Sequence, residues 1–382
     1  MRKFSLFLMA FLLVASMVFA TGGSQAATAS GPVSIGAVFP LSGGVSLYGT
    51  ESRDGAILAI EDINRAGGLL GRQLRLIAED DENDPTKAIN AFTKLTTVDR
   101  VSFIIGSSTS GATMAMTQLA QSQRIVLMTP SGTNLAVTTP GDYIFRACFI
   151  DPFQGVVAGN FAYGTLSARR AAVLYDAGAD YNTGLANEFK QQFLRNGGQI
   201  VADEAYQTGD VDFNAQATRI RAANPDIVYL PNYYNDVGLQ IRQLRAQGIT
   251  CPFLGGDGWE GVSDNTGNEF LNTFWTSLFA TDTTDPKGAA FVRAFQARFN
   301  RPATSFGALG YDSMMLIADA IKAANSFDSS QVKNALARIN GPYVTGNIRY
   351  DSNRNPIKSI DILEIVNRNG SLTNVYRTTV NP

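Results

Sequence analysis

The chain reads as an α/β protein of two Rossmann-like lobes, each built on a parallel sheet. Three observations predict it. Short β-rich apolar runs alternate with helical patterns through most of the 382 residues, as βαβ units require. Removal of an N-terminal export segment leaves about 356 residues, more than one ordinary core holds and suited to about two domains. No Pro-, Ser- or Gly-rich stretch separates the two series of elements, so ordered, strand-like crossings should join the lobes and permit hinge closure about a cleft.

Arg2 and Lys3 precede the apolar run Phe4 to Val18, and small residues follow at Val18-Phe19-Ala20 and Ser24-Gln25-Ala26. Charge, apolar core and small residues in that order make residues 1–26 a cleavable secretory signal. An uncleaved anchor is disfavoured, because the run is short of the roughly 20 residues a bilayer span needs. No second run approaches that length, and no cysteine sits at either cleavage position to carry a lipid. A soluble, exported mature chain is expected.

The first series runs strand Val33 to Val38, helix Tyr48 to Ala66, strand Leu74 to Ala78, helix Pro85 to Thr97, strand Val101 to Ile105, helix Ala112 to Ser122 and strand Ile125 to Met128. In its first helix Ala56, Ala59, Ile60 and Ile63 fall at helical spacing while Arg53, Glu61 and Arg65 take the other face. Gly67-Gly68 stops it. After Asp151-Pro152-Phe153-Gln154-Gly155 a second series follows: helix Val156 to Leu166, strand Ala172 to Tyr175, helix Gly184 to Arg195, strand Ile200 to Tyr206, helix Phe213 to Ala222, strand Ile227 to Leu230, helix Val237 to Ala246 and strand Pro252 to Leu254. The chain then reads as strand Phe274 to Ala280, helices near Gly288 to Phe299, Phe306 to Ala324 and Gln331 to Ile339, and short strands that include Ser359 to Val366.

Composition excludes whole classes of chemistry. There is no histidine, which rules out Ser-His-Asp and Cys-His catalysis and removes the commonest metal ligand. Without Arg2 and Lys3 the mature chain has 29 basic against 33 acidic residues, so no nucleic-acid partner is expected. Cys148 and Cys251 lack a CxxC neighbour and fall in different lobes, which gives redox chemistry little support and favours two unpaired thiols. No metal or other cofactor is expected.

Loops at the carboxyl ends of parallel strands face the crevice where such folds bind ligands. Three stand out. Gly106-Ser-Ser-Thr-Ser110-Gly-Ala-Thr113 joins a strand to a helix, and small residues there let backbone N–H groups approach a carboxylate or phosphate. It lacks the GxxxxGK[ST] of a nucleotide loop; the plainer alternative is a polar loop with an N-capping serine. Thr129-Pro-Ser131-Gly-Thr133-Asn134 follows the next strand and can converge on the same anion, with Ser110 and Thr133 as donors and the backbone near Ser131 assisting.

Third comes Leu254-Gly-Gly-Asp257-Gly-Trp259-Glu-Gly261. It matches GxGxxG in letters, but no helix opens at its end and Trp259 crowds the place a pyrophosphate would take. A carboxylate beside an aromatic ring better suits an ammonium, against the alternative of a solvated turn aspartate. Tyr48, Tyr181, Tyr233 and Tyr234 lie past strands or at helix starts, where a tyrosine can wall a pocket, although any one alone could equally be packing.

These pieces resemble the periplasmic leucine/isoleucine/valine-binding proteins, the type I substrate-binding proteins of ABC importers. The resemblance spans the mature chain and rests on Pro40-Leu-Ser-Gly43, Tyr48-Gly49, Asp62-Ile-Asn-Arg-Ala-Gly-Gly68, Asp81-Glu-Asn-Asp-Pro85, Ile105-Gly106, Thr129 to Asn134, Arg146, Asp151 with Gln154-Gly155, and Gly310-Tyr-Asp312. It implies a type I periplasmic-binding-protein fold with a three-segment hinge, residues 31–150 plus 281–344 forming lobe 1 and 151–280 plus 345–382 lobe 2. It also implies a monomeric non-enzyme in the periplasm that binds an amino acid and delivers it to permease membrane subunits.

The resemblance assigns the ligand carboxylate to Ser110, Ser131 and Thr133, and the ammonium to Tyr181 and Asp257. Tyr233 becomes a further pocket tyrosine, and Tyr48 an aromatic on the ligand side chain. Two departures matter. The leucine-binding branch carries glutamate where this chain has Asp257, one methylene shorter, and has a first-lobe disulfide where this chain has Asn83. The side-chain class therefore stays open between branched-chain and aromatic amino acids, with amides, urea or aromatic acids as the alternative within the fold. A secreted hydrolase would need two carboxylates facing each other across the cleft. Only Asp257 and Asp151 could serve, and the sequence gives neither a reason for a raised pKa.

Overall fold

Two α/β layers meet at the carboxyl ends of their strands. The computed structural model describes residues 31–382; the segment read as a secretory signal lies outside the described residues. Strands β1 (Val33–Phe39), β2 (Leu74–Asp80), β3 (Phe103–Gly106), β4 (Val126–Thr129) and β5 (Ile144–Arg146) form an all-parallel sheet of order β2-β1-β3-β4-β5. Helices α1 (Ser46–Arg65), α2 (Pro85–Thr97) and α3 (Ser110–Gln123) connect them. Asp84 caps α2 by accepting from Lys87 N at 2.9 Å, with Pro85 opening the first turn.

The second sheet has seven strands in the order β14-β13-β10-β9-β8-β6-β7. Strands β6 (Arg170–Asp176), β7 (Gln199–Tyr206), β8 (Ile227–Leu230), β9 (Phe253–Gly255) and β10 (Thr273–Ser277) run parallel, linked by α5 (Asp180–Arg195), α6 (Asn214–Ala223), α7 (Tyr234–Ala246) and a run of single 3₁₀ turns. Helix α4 (Asp151–Asn160), ending in a π turn over Phe161–Thr165, packs on α5.

After β10 the chain returns to the five-stranded layer through α8 (Pro286–Phe299), α9 (Ser305–Ala324), α10 (Ser329–Leu336) and the hairpin β11 (Asn340–Tyr343) and β12 (Gly346–Arg349). It crosses once more into β13 (Ile360–Arg368) and β14 (Ser371–Val380). The backbone thus passes between the layers three times, near Ala147–Ile150, Leu278–Asp285 and Tyr350–Ser359.

Helix α9 reaches the crevice because it lies unusually close to α1. A Cβ on Gly55 would sit 1.9 Å from Gly307 O, and one on Gly310 would sit 2.0 Å from Ser52 O. Glycine is required at both crossings, and that approach carries Phe306, in the first turn of α9, onto Tyr48.

Several expectations change. The second sheet is mixed, because β13 runs antiparallel to both β10 and β14. The terminal strands are nine and ten residues long, where short strands were expected. The three-residue β5 was not anticipated. Helices α3, α4, α5 and α7 begin two to five residues earlier than the apolar periodicity implied, since their first turns contain Gly111, Pro152, Tyr181-Asn182 or Tyr234-Asn235, residues that read as loop. Proline belongs in a first helical turn. The earlier starts place Ser110, Asp151 and Tyr181 in the first turns of α3, α4 and α5. Cys148 is buried and Cys251 half-buried, both as free thiols. Among the described residues no helix is long and apolar enough to cross a membrane.

Candidate functional site

The five-stranded layer supplies a corner of hydroxyls. Ser110, Ser131 and Thr133 are all buried, on loops braced from below. Arg146, at the end of β5, is fully buried and donates to Gly132 O at 2.7 Å and Asn134 O at 3.0 Å, drawing those carbonyls to one side. Ser107 Oγ donates to Asp81 Oδ2 at 2.6 Å. Thr109 Oγ1 donates to Asn83 Oδ1 at 2.7 Å, so Asn83 braces the first hydroxyl loop without a disulfide.

The three predicted carboxylate ligands differ in what they leave open. Ser131 Oγ donates to Ser108 O at 2.8 Å, which commits its proton to holding the two loops together. Ser110 Oγ accepts from Asn134 N at 3.2 Å and keeps its proton to offer. Thr133 Oγ1 has no hydrogen-bond partner despite being buried. With the first amides of α3, which no helix can satisfy internally, Ser110 and Thr133 are the donors an anion would meet.

The seven-stranded layer supplies the opposite charge. Asp257 follows β9 and is buried. Its Oδ1 accepts from Tyr181 Oη and Gln154 Nε2, each at 2.9 Å. Tyr181 Oη also accepts from Gly258 N at 3.1 Å. A Cβ on Gly256 would lie 2.4 Å from that hydroxyl, so glycine lets the loop close on Tyr181. Burial is the main reason the Asp257 carboxyl is held well above its ordinary range, with repulsion from Asp151 next.

Aromatic rings line the seam between the corners. Tyr233, the most exposed of the seven predicted residues, stacks on Tyr181 at 5.1 Å between centroids and 6° between planes. Tyr48 meets Tyr233 edge-on at 5.7 Å and stacks on Phe306 at 4.2 Å. Its hydroxyl donates to Gly258 O at 2.5 Å and accepts from Tyr234 N at 3.2 Å. It therefore ties α1 of one layer to two loops of the other. Glu260 makes a second tie, accepting from Ser305 N at 2.9 Å and Ser305 Oγ at 2.6 Å at the start of α9.

Two readings need correction. Trp259 is not the ring beside Asp257: it is fully buried among Leu230, Phe253 and Trp275, and its Nε1 donates to Leu230 O at 2.8 Å. The rings of that corner are Tyr181 and Tyr233. Asp151 does have a raised pKa, pushed up to about 7 by burial, but it belongs to the same layer as Asp257. The two acids do not face each other across the crevice as a carboxylate hydrolase needs.

Asp151, Gln154 and Phe306 join the site although the sequence did not assign them a ligand role. Asp151 and Gln154 carried a visible signal, as members of the Asp151-Pro-Phe-Gln154-Gly155 run. Phe306 had none, because its place depends on the close packing of α1 and α9.

Two α/β layers crossed three times by the chain, with an anion corner on one and a cation corner on the other, define a cleft-type solute binder. The chain belongs to the periplasmic binding protein family, whose model matches residues 32–370, and the resemblance read from the sequence is borne out. It is 32% identical over 354 residues to the leucine-, isoleucine-, valine-, threonine- and alanine-binding protein of Pseudomonas aeruginosa, across 91% of this chain and 93% of that protein. The branched-chain amino acid transporter substrate-binding protein LivJ from Streptococcus pneumoniae, solved with isoleucine, superposes with a TM-score of 0.85 at 34% identity, over 92% of this chain and 100% of that one. A solute-binding protein of an R. palustris ABC transporter, solved with benzoate, shares the fold at 23% identity and a TM-score of 0.83, over 92% and 98% of the chains.

Proposed function

We propose that this protein captures an apolar L-amino acid, branched-chain or aromatic, and delivers it to the membrane subunits of an ABC importer. The observation that carries the reading is the pairing of opposite corners: unspent donors at Ser110 and Thr133, and the buried carboxylate of Asp257, whose side-chain donors Tyr181 and Gln154 both engage Oδ1. A zwitterion fills both, and apolar aromatic rings at Tyr48, Tyr233 and Phe306 suit its side chain. The names of the Pseudomonas and Streptococcus relatives support the same ligand class. Export by the N-terminal signal to the periplasm and action as a monomeric non-enzyme complete the proposal.

Residues 31–150 with 281–344 and residues 151–280 with 345–382 act as the two lobes in this reading. The three crossings serve as hinge, and a ligand held by both corners favours closure because only the closed form offers it both sets of contacts. The second reading, a receptor for an aromatic acid, keeps the hydroxyl corner but gives Asp257 nothing to bind. Thermal shifts of unfolded-and-refolded, ligand-stripped protein against the twenty amino acids, urea, acetamide and benzoate separate the two. A ligand at a hundred times its Kd adds about 2.7 kcal/mol. Shifts confined to Leu, Ile, Val or Phe are expected; a shift with benzoate and none with an amino acid overturns the substrate.

A further inference from the structure

Among the described residues Asp151 stands out as a buried acid with both carboxylate oxygens unpartnered. It opens α4 and is 2% exposed. Its backbone N donates to Thr133 O at 3.0 Å, which seats it at the junction of the two corners. The Thr133 hydroxyl lies near enough to favour the Asp151 charge but outside hydrogen-bond geometry, so the neighbouring hydroxyl and carboxylate are both unspent. The phenol of Tyr229, also buried and unpartnered, lies in the electrostatic field of Asp151 and Asp257 together. Leaving so many buried polar atoms unpaired is costly unless something polar enters among them.

The charges around this junction do not balance. Asp151 feels Asp257 from the loop after β9, Glu188 from α5 and the guanidinium of Arg146 from β5, with the neutral phenols of Tyr181 and Tyr229 and the thiol of Cys148 alongside. Arg146 supplies the positive charge that Asp151 feels, and two of its N–H groups are already spent on carbonyls. Two buried carboxylates that repel each other resist ionising together without a second positive charge.

Resting on the amino-acid reading above, we infer that Asp151 is a second acceptor for the ligand's ammonium, and that ligand capture expels to solvent a proton that Asp151 and Asp257 hold between them. The ammonium enters with its charge, one carboxyl O–H bond breaks, and the proton passes to buffer. Burial, which pushes the Asp151 carboxyl up to about 7, puts that proton in place at mildly acid pH. The subsite then demands a cation, which selects amino acids over carboxylates that lack an amino group.

The test is calorimetric titration of the stripped wild-type protein with L-leucine and L-phenylalanine at pH 6, in buffers of widely different ionisation enthalpy. Release of about one proton per bound amino acid is expected, with affinity rising by up to about tenfold per pH unit between pH 5 and 6.5 and levelling above about 7.5. In Asp151→Asn the proton count should fall by at least half and the pH dependence flatten. Tight binding with no proton released by the wild type overturns the inference and leaves the amino-acid reading standing, and so does an Asp151→Asn protein that matches wild type in both affinity and proton count. Heat with benzoate and none with either amino acid overturns the amino-acid reading itself, and the inference with it.

Discussion

The two corners of the crevice solve opposite problems in opposite ways. The hydroxyl corner is assembled from hydroxyls and carbonyls that mostly satisfy one another, braced by one buried cation: Ser131 holds Ser108 O, Thr129 Oγ1 holds Ser107 O at 2.6 Å, and Arg146 holds the loop carbonyls. The acid corner buries two carboxylates, gives one of them two donors and the other none. The first is cross-braced by its own hydrogen bonds, and its one raised acid, Asp81, is spent on Ser107. The second carries a desolvation penalty that a ligand's ammonium can relieve, so selectivity and the pH response of binding should concentrate there.

That contrast is most easily broken at Asp257. Replacing it with alanine should weaken amino-acid binding by about 3 to 4 kcal/mol, some hundredfold or more, because the ligand's ammonium is then buried without its partner. The same variant should keep any affinity for a carboxylate without an amino group. Calorimetry with L-leucine and benzoate reads both, and equal losses for the two would remove the distinction between the corners.

Stability without ligand should respond to pH in the direction the acids dictate. Burial pushes Asp151 up to about 7 and Asp81 up to about 6, above their values in the unfolded chain. The folded protein therefore binds more protons than the unfolded one across this window. Its stability should be greatest below about pH 4 with respect to these two groups and decline as pH rises through 6 and 7. A melting series from pH 5 to 8 should show a loss on the order of 4 kcal/mol, smaller when the amino acid is present at saturation.

Tyr181→Phe removes one of two donors to Asp257 Oδ1 and should cost about 1.5 kcal/mol of affinity, measured by the same titration. Ser131→Ala comes last, at about 1 kcal/mol of folding stability in a denaturant titration, since its hydroxyl holds the loops together and is already spent. A larger effect of Ser131→Ala than of Tyr181→Phe on ligand affinity would mean that the hydroxyl corner, and not the acid corner, dominates recognition.

The sequence made the alternation of elements and both charged corners legible, because strand-end loops rich in Ser, Thr and Gly, or holding an isolated Asp, stand out against apolar runs. It hid what depends on packing. Trp259 reads as the ring beside Asp257 but fills the second layer's core, since nothing local says which way a ring beside two glycines will turn. Ser131 and Thr133 look equivalent in Ser131-Gly-Thr133, yet a carbonyl brought in from another loop occupies one hydroxyl and leaves the other free. The orphaned state of Asp151 emerges only when α4, α5 and β8 close around it. Phe306 reaches Tyr48 through glycine contacts between helices about 250 residues apart in the chain.

The most direct test of the bridging claim is calorimetric titration of the stripped protein with L-leucine, with 4-methylpentanoate, which keeps the carboxylate and loses the ammonium, and with isopentylamine, which keeps the amine and loses the carboxylate. Leucine should bind at least a hundredfold more tightly than either half, a difference of about 2.7 kcal/mol. If 4-methylpentanoate binds as tightly as leucine, the acid corner takes no part in recognition and the two-cornered account fails.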